Sequence, residues 1–384
     1  MPFYQRRGRI PAKRHIVFRN PEGGLYYEEL IGNEGFTGAS SLLYRIGRPT
    51  RVVEAGVERK IEWKAHGDPT LRPHHLRLGR VERGGDPCLD RTPFAFNEDV
   101  ALAVARPAEN GPGFYRNGRA DEIVYVARGS GTLDSALGEL GFGAGDYLVI
   151  PRGLVHGYRL DEEDPLFLIA ESRGVVRIPP RYRNANGQLL EGAPYSERDI
   201  RTPENLRARE ETGEFPIFTK RGDTITRHVV QSHPFDVVGW DGTYYPWAFN
   251  IRDFEPIVGK VHQPPPVHQT FAGDGFVVCS FVPRLYDFHP EAIPTPYHHS
   301  NAQSEEILFY AADEFMSRKG IEFGSVTYHP DGMPHGPHPG TIEKGIGAEK
   351  TDELAVMVDT FRPLSIAAAA MPYDDPDYVR SWLE

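Results

Sequence analysis

Gly145, Pro151, Gly153 and His156 stand in the pattern G-x5-P-x-G-x2-H, and Gly324, Pro330, Gly332 and His335 repeat it at identical spacing. An internal repeat constrains a fold more than any single segment does, so it is read first. Each copy follows an apolar, β-rich run: "EIVYVARGSG" from Glu122 in the first, "EEILFYAA" from Glu305 in the second. The run between Gly and Pro reads as a strand. Pro presets φ for the turn that follows, and Gly takes the position a side chain would crowd. The chain then reverses and delivers a His from a rigid strand start. The repeat therefore predicts two similar β-barrel modules in one mainly β chain. Forty Gly and 34 Pro among 384 residues, with short apolar runs between them, agree with that class.

The repeated pattern resembles the second conserved motif of cupins, small double-stranded barrels related to jelly rolls. The expected division is an amino-terminal cupin-like module over 1–178, a polar connecting segment over 179–222 and a carboxy-terminal module over 223–384. One short helix is expected in the connection, near Pro203 to Thr212, and the final "YDDPDYVRSWLE" is expected to dock on the body.

A cupin site needs a second cluster upstream. In the later module that cluster is "PYHHSNAQSEEILFY". His299 and Glu305 are six apart, an even separation that leaves both on one face of an extended segment. With His335 they make two imidazoles and one carboxylate. Glu306 is the rival to Glu305 and points to the opposite face of a regular strand. Such a set leaves coordination positions open and suits iron(II) and oxygen chemistry. His298, His329 and His338 read as neighbours of the site or as surface groups. The earlier module offers His156 and Glu122, with Tyr115 and Asn117 where ligands would stand, and reads as a metal-free copy.

Charge and composition exclude other classes. The net charge of -11 and the lack of a Lys/Arg stripe interleaved with aromatics argue against nucleic acid as a partner. No apolar run approaches the ~18 residues of a membrane span, and the basic stretch from Arg6 to Arg14 has no apolar region after it. Two distant cysteines, Cys88 and Cys279, read as buried small hydrophobes in a reducing, cytoplasmic setting.

Four stretches resemble homogentisate 1,2-dioxygenases: "GGLYYEELIGNEGF", "HPFDVVGWDGTYYPWAFNIRDF", "PYHHSNAQSEE" and "MPHGPH". The resemblance implies a bicupin fold, iron(II) on His299, Glu305 and His335, and cleavage of a hydroquinone ring by O2 to maleylacetoacetate in tyrosine and phenylalanine breakdown. It also implies a homo-oligomer built from trimers. By position the family's catalytic His falls on His262, with His268 as competitor, and Tyr297 matches a Tyr before the first ligand. Tyr297, His268 and His298 are the expected substrate contacts.

Two positions depart from the family. Ser300 replaces an Arg, and Glu314 stands nine residues after Glu305, where the family has a Tyr that contacts the substrate carboxylate. Lys260, Arg284 and Arg362 are candidate counter-ions for an acidic substrate. Alternatives to this activity are a different hydroquinone or gentisate-type acid, a ligand-binding bicupin without chemistry, and a zinc or manganese isomerase.

Overall fold

A computed structural model describes residues 2–111, 113–161 and 164–383. The earlier barrel is made by two large, mainly antiparallel sheets. One has eight strands. At its centre, Asp121–Arg128 lies between Asp146–Ile150 and Leu166–Ser172, and Val100–Ala105 pairs on the far side of the latter. These strands are largely apolar and buried along almost their whole length, as strands covered on both faces are. The second sheet has seven strands and includes Gly131–Ser135, His156–Leu160 and Tyr115–Asn117.

The later barrel is built on six strands, with Glu305–Tyr310 between Val326–His329 and Ala355–Thr360, and Phe276–Phe281 beyond. A short pair, Arg284–Leu285 with Lys350–Thr351, stands apart from it. Thr341–Gly345 is the one α-helix among the described residues. No helix among them is long and apolar enough to cross a membrane. Cys88 and Cys279 are both buried and unbridged. The two barrels share one continuous apolar core that runs from Leu102 and Tyr125 to Phe309 and Val358.

The repeat is a structural one. The backbone is left-handed at both Gly153 (φ 78°) and Gly332 (φ 69°), a conformation that costs an L side chain about 1–2 kcal/mol. Each of these glycines donates its N–H at 2.7 Å to an asparagine carbonyl, Asn117 in one copy and Asn301 in the other. Gly145 and Gly324 likewise donate to Val126 and Tyr310. His156 pairs with Tyr115, and His335 pairs with His299. The equivalences are therefore Tyr115 with His299, Asn117 with Asn301, Glu122 with Glu306, and His156 with His335.

Strand pairing does not follow the expected divisions at 178 and 222. Thr212–Arg221, inside the expected connection, is a strand, and with Thr224–Ser232 it forms a hairpin in the seven-stranded sheet. Trp247–Asn250 pairs with Asp146–Ile150, and Gln5–Gly8 pairs with Val237–Gly242. In the opposite direction, His74–Leu76 adds an edge to the later sheet beside Val326–His329. Residues 203–212 form no helix; three-residue 3-10 turns lie at Pro180–Tyr182 and Glu197–Asp199 instead. The carboxy-terminal tail does lie on the body, through Tyr378 and Trp382, while Glu384 is outside the described residues.

Candidate metal centre

His299, Glu306 and His335 each present a ligand atom within 4.8 Å of the others. The two histidines are locked together by their backbones, which exchange N–H to O=C bonds of 2.9 Å in both directions. Their rings lie 4.3 Å apart between centroids. Each ring is oriented by its own chain. His299 Nδ1 donates to the Tyr297 carbonyl and His335 Nδ1 to the Met333 carbonyl, both at 3.2 Å. A carbonyl can only accept, so Nδ1 carries the hydrogen and Nε2 is left with its lone pair. His335 Nε2 is buried without a hydrogen-bond partner and lies 3.8 Å from Glu306 Oε2.

The carboxylate of the cluster is Glu306, and the expectation of Glu305 is corrected. Both residues begin the strand Glu305–Tyr310, where successive side chains leave opposite faces. Glu305 faces away: it accepts a hydrogen bond from the Tyr328 hydroxyl at 2.8 Å and another from the Leu364 N–H. Glu306 pairs in register with His329, and both project to the face that carries His335. The step from His299 to the carboxylate is thus seven residues, the same as from Tyr115 to Glu122. The internal repeat held that signal; the family spacing obscured it. With Glu306 in place, the residue nine positions on is Phe315, an aromatic packed 5.2 Å from Tyr310, and no longer the exposed Glu314.

Around the three ligands lies a buried polar shell. His329 Nδ1 donates to Glu306 Oε1 at 2.8 Å, which leaves His329 Nε2 to accept from the Tyr378 hydroxyl at 3.2 Å. The His329 and His335 rings are stacked, 4.5 Å apart and 6° from parallel. Burial pushes the Glu306 carboxyl upward, but the hydrogen bond from His329 and the neighbouring His335 imidazole prevail and hold it well below the usual carboxylate range. Burial holds His329 down at about 4, so its ring is neutral near pH 7. Asp359 stands directly across the sheet from Glu306, with Oδ1 buried and unpartnered; burial and the Glu306 charge raise it to about 8.

His338 is not part of the cluster. Its Nδ1 accepts from the Lys319 N–H at 2.8 Å, and Nε2 meets the Ser381 hydroxyl at 3.1 Å. Arg318 lies buried behind the histidines, where it donates to the Gly336 carbonyl at 2.6 Å. Single-sequence reading singled out neither Arg318 nor Asp359.

The residues expected to contact substrate are dispersed. Tyr297 is exposed and packs edge-on against His262 at 5.3 Å, with His299 at 6.3 Å on its other side. His262 is exposed, with Nδ1 3.7 Å from Asp287. His298 is exposed and abuts Gly336. His268 is buried against Phe281 at 4.6 Å, and burial, then Arg284, holds it down at about 3. Among the candidate counter-ions, Arg284 is paired with Glu353 at 2.7 Å and Arg362 with Glu98 at 2.7 Å, while Lys260 is exposed.

In the earlier barrel the equivalent place is filled by protein. Arg91 sits between Glu122 and Glu171, 2.9 Å from each carboxylate, and Lys220 closes on Glu171. Tyr115 donates its hydroxyl to Glu122 at 2.9 Å. Burial pushes Glu122 up, yet Arg91 overrides this and holds it at about 2. The guanidinium is the internal cation of that barrel. In the later barrel no Lys or Arg among the described residues forms an ion pair with Glu306. A buried carboxylate and two oriented, lone-pair-bearing nitrogens there fit a divalent metal.

Residues 112–251 match the profile of the homogentisate 1,2-dioxygenase N-terminal family. A protein of Saccharolobus solfataricus named as a candidate dioxygenase is 41% identical over 390 residues, covering 100% of this chain and 99% of its own. Homogentisate 1,2-dioxygenases of Rhodopseudomonas palustris and Nitrobacter hamburgensis are 26% and 25% identical, over 98% of this chain and 90% of theirs. Among solved structures, a cupin 2 conserved barrel domain protein from Leptotrichia buccalis overlaps 79% of this chain and 100% of its own, at 9% identity and a TM-score of 0.34.

Proposed function

Because the chain belongs to the homogentisate 1,2-dioxygenase family, we propose that it is an iron(II) enzyme that opens the ring of homogentisate with O2 to give maleylacetoacetate, a step in tyrosine and phenylalanine breakdown. The observation that carries the reading is the convergence of His299, Glu306 and His335, with both Nε2 atoms left free by their carbonyl contacts. Two imidazoles and one carboxylate are the donor set of non-haem iron(II) oxygenases and leave open positions for substrate and O2. Bound iron(II) supplies the electronic route between an aromatic ring and O2.

The chain's own residues supply orientation and proton handling. Backbone pairing of His299 with His335 holds the two imidazoles at fixed separation. His329 keeps Glu306 ionised and aimed, as an outer partner does for a metal-binding carboxylate. His262, whose Nδ1 lies 3.7 Å from the Asp287 carboxylate, takes the proton of the substrate's ring hydroxyl and later returns it. His268, held at about 3, cannot keep a proton near pH 7 and serves as a wall beside Phe281. Phe315 supports an aromatic substrate but lacks the hydroxyl that the family presents to the substrate carboxylate. That absence, with Ser300, favours a second reading, a related hydroquinone acid such as gentisate. A homo-oligomer built from trimers and a cytoplasmic setting belong to the same proposal.

The test is anaerobic iron(II) loading followed by oxygen-electrode assay. Uptake of one O2 per homogentisate, faster than with gentisate, is the expected result. Faster uptake with gentisate reassigns the substrate. Stoichiometric iron without O2 uptake on any hydroxylated aromatic acid sinks the dioxygenase reading and leaves an isomerase or a ligand-binding bicupin.

A further inference from the structure

A second cleft, about 630 Å³, opens at the mouth of the earlier barrel, above the Arg91 network. That size suits a small organic ligand. Its floor is Glu171 and Asn117 of the buried network. One wall is the half-buried Trp63, edge-on to Phe96 at 5.6 Å, with Lys220 Nζ 5.2 Å from its ring centre. Around the rim stand Lys60, Lys64, Arg119 and Arg173, all exposed, and none of their side chains has an ion-pair or hydrogen-bond partner among the described residues.

These four cations stand together around one cleft in a chain of net charge -11. The acidic groups beside them are Glu62 and Asp223, and Asp223 already accepts from the Thr224 hydroxyl at 2.8 Å. The backbones under both arginines are held in place. Asn117 Oδ1 accepts from the N–H groups of Arg119 and Ala120 at 3.1 and 2.9 Å, and the Arg173 N–H donates to Asp99 at 2.9 Å. The floor carboxylate, Glu171, is already neutralised by Arg91 and Lys220, so it offers nothing to a metal ion.

We infer that this cleft binds a small aromatic carboxylate, its ring against Trp63 and its carboxylate between Arg119 and Arg173. A planar guanidinium pairs with a carboxylate through two parallel hydrogen bonds, and an aromatic wall selects a ring over an aliphatic or inorganic anion. The inference does not rest on the metal centre, which is built from the other barrel.

Calorimetric titration of the full chain with benzoate tests it. Saturable binding of one benzoate per chain is expected, weakened about tenfold or more in Arg119→Ala/Arg173→Ala, the equivalent of ~1.4 kcal/mol. Both arginines are exposed and unpartnered, so the variant should melt as the parent does; Arg119→Gln alone serves if it does not. Cyclohexanecarboxylate and inorganic phosphate should bind more weakly than benzoate, and His335→Ala should bind benzoate as the parent does. No saturable binding, binding indifferent to the arginines, or phosphate or the aliphatic acid binding as tightly as benzoate would each overturn the assignment. Loss of binding in His335→Ala would move the ligand to the other barrel.

Discussion

Glu122 and Glu306 occupy the same place in two copies of one barrel strand, each seven residues beyond a partner of the motif His, yet one faces a guanidinium and the other a pair of imidazoles. The first carboxylate is neutralised from within the chain by Arg91. The second has no Lys or Arg ion-pair partner among the described residues; it accepts a hydrogen bond from His329 and stands beside the His299 and His335 rings. A single fold thus presents one barrel closed by an internal cation and one whose residues could hold an external one.

Glu306→Ala should abolish metal retention, whereas Glu305→Ala should keep it. The loss in the first should exceed the roughly 10–100-fold that removal of an outer partner costs. Glu305→Ala strips partners from the Tyr328 hydroxyl and the Leu364 N–H and should lower stability by about 1–3 kcal/mol. Metal content after dialysis, set beside urea melts of both variants, separates the two roles.

His329→Ala removes the donor that orients Glu306 and opens a gap beside the His335 ring. Iron affinity should fall about 10–100-fold without vanishing. Competition against a chelator reads this directly, and unchanged affinity would assign His329 to packing alone.

His262→Ala should retain iron but lose roughly 100-fold or more of its O2 uptake with homogentisate, the usual worth of a general acid–base group. His268→Ala should keep most turnover, because a ring held at about 3 has no proton to exchange near pH 7. The reverse pattern in the oxygen electrode would exchange the roles of the two residues.

Arg91→Met leaves Glu122 and Glu171 buried without their shared cation, a loss on the order of 3–5 kcal/mol. The parent should also show an acid signature. Glu122 in the folded chain titrates at about 2, below the ordinary glutamate value of about 4.3. Its contribution is therefore complete above about pH 4.3 and is lost as pH falls toward 2. Urea melts between pH 6 and pH 2.5 should steepen in that window for the parent, and much less for the variant.

Gly153→Ala and Gly332→Ala test the repeated turn. A Cβ at either position meets no atom within 4 Å, so the cost is that of left-handed backbone alone, about 1–2 kcal/mol in each. Equal shifts of the denaturation midpoint would show two equivalent turns, and a cost well above this range would point to packing instead.

The repeat and the strands around it were legible because they are local. Gly, Pro and His at fixed offsets state a strand, a turn and a reversal, and the runs "EIVYVARGSG" and "EEILFYAA" became the strands Asp121–Arg128 and Glu305–Tyr310. The choice between Glu305 and Glu306 was not settled in the same way. Sliding a strand by one residue moves every side chain to the other face, and counting along an irregular loop from His299 does not say where the pleat begins. The module boundaries were misread for a different reason. His74–Leu76 joins Val326–His329, and Trp247–Asn250 joins Asp146–Ile150, pairings about 100 to 250 residues apart that leave no mark in local composition.

By itself, the order of residues determined the class of fold and the duplication, and it singled out the two histidines that the structure brings together with Glu306. Each of these follows from turn chemistry and spacing within a few dozen residues. Only the tertiary structure decided which carboxylate joins them, that Arg91 stands in for a cation in the other barrel, and that Trp63 meets Arg119 and Arg173 around one cleft. Those outcomes depend on the pleat phase of one strand and on segments brought together across the whole chain, and neither quantity is written in any short stretch of it.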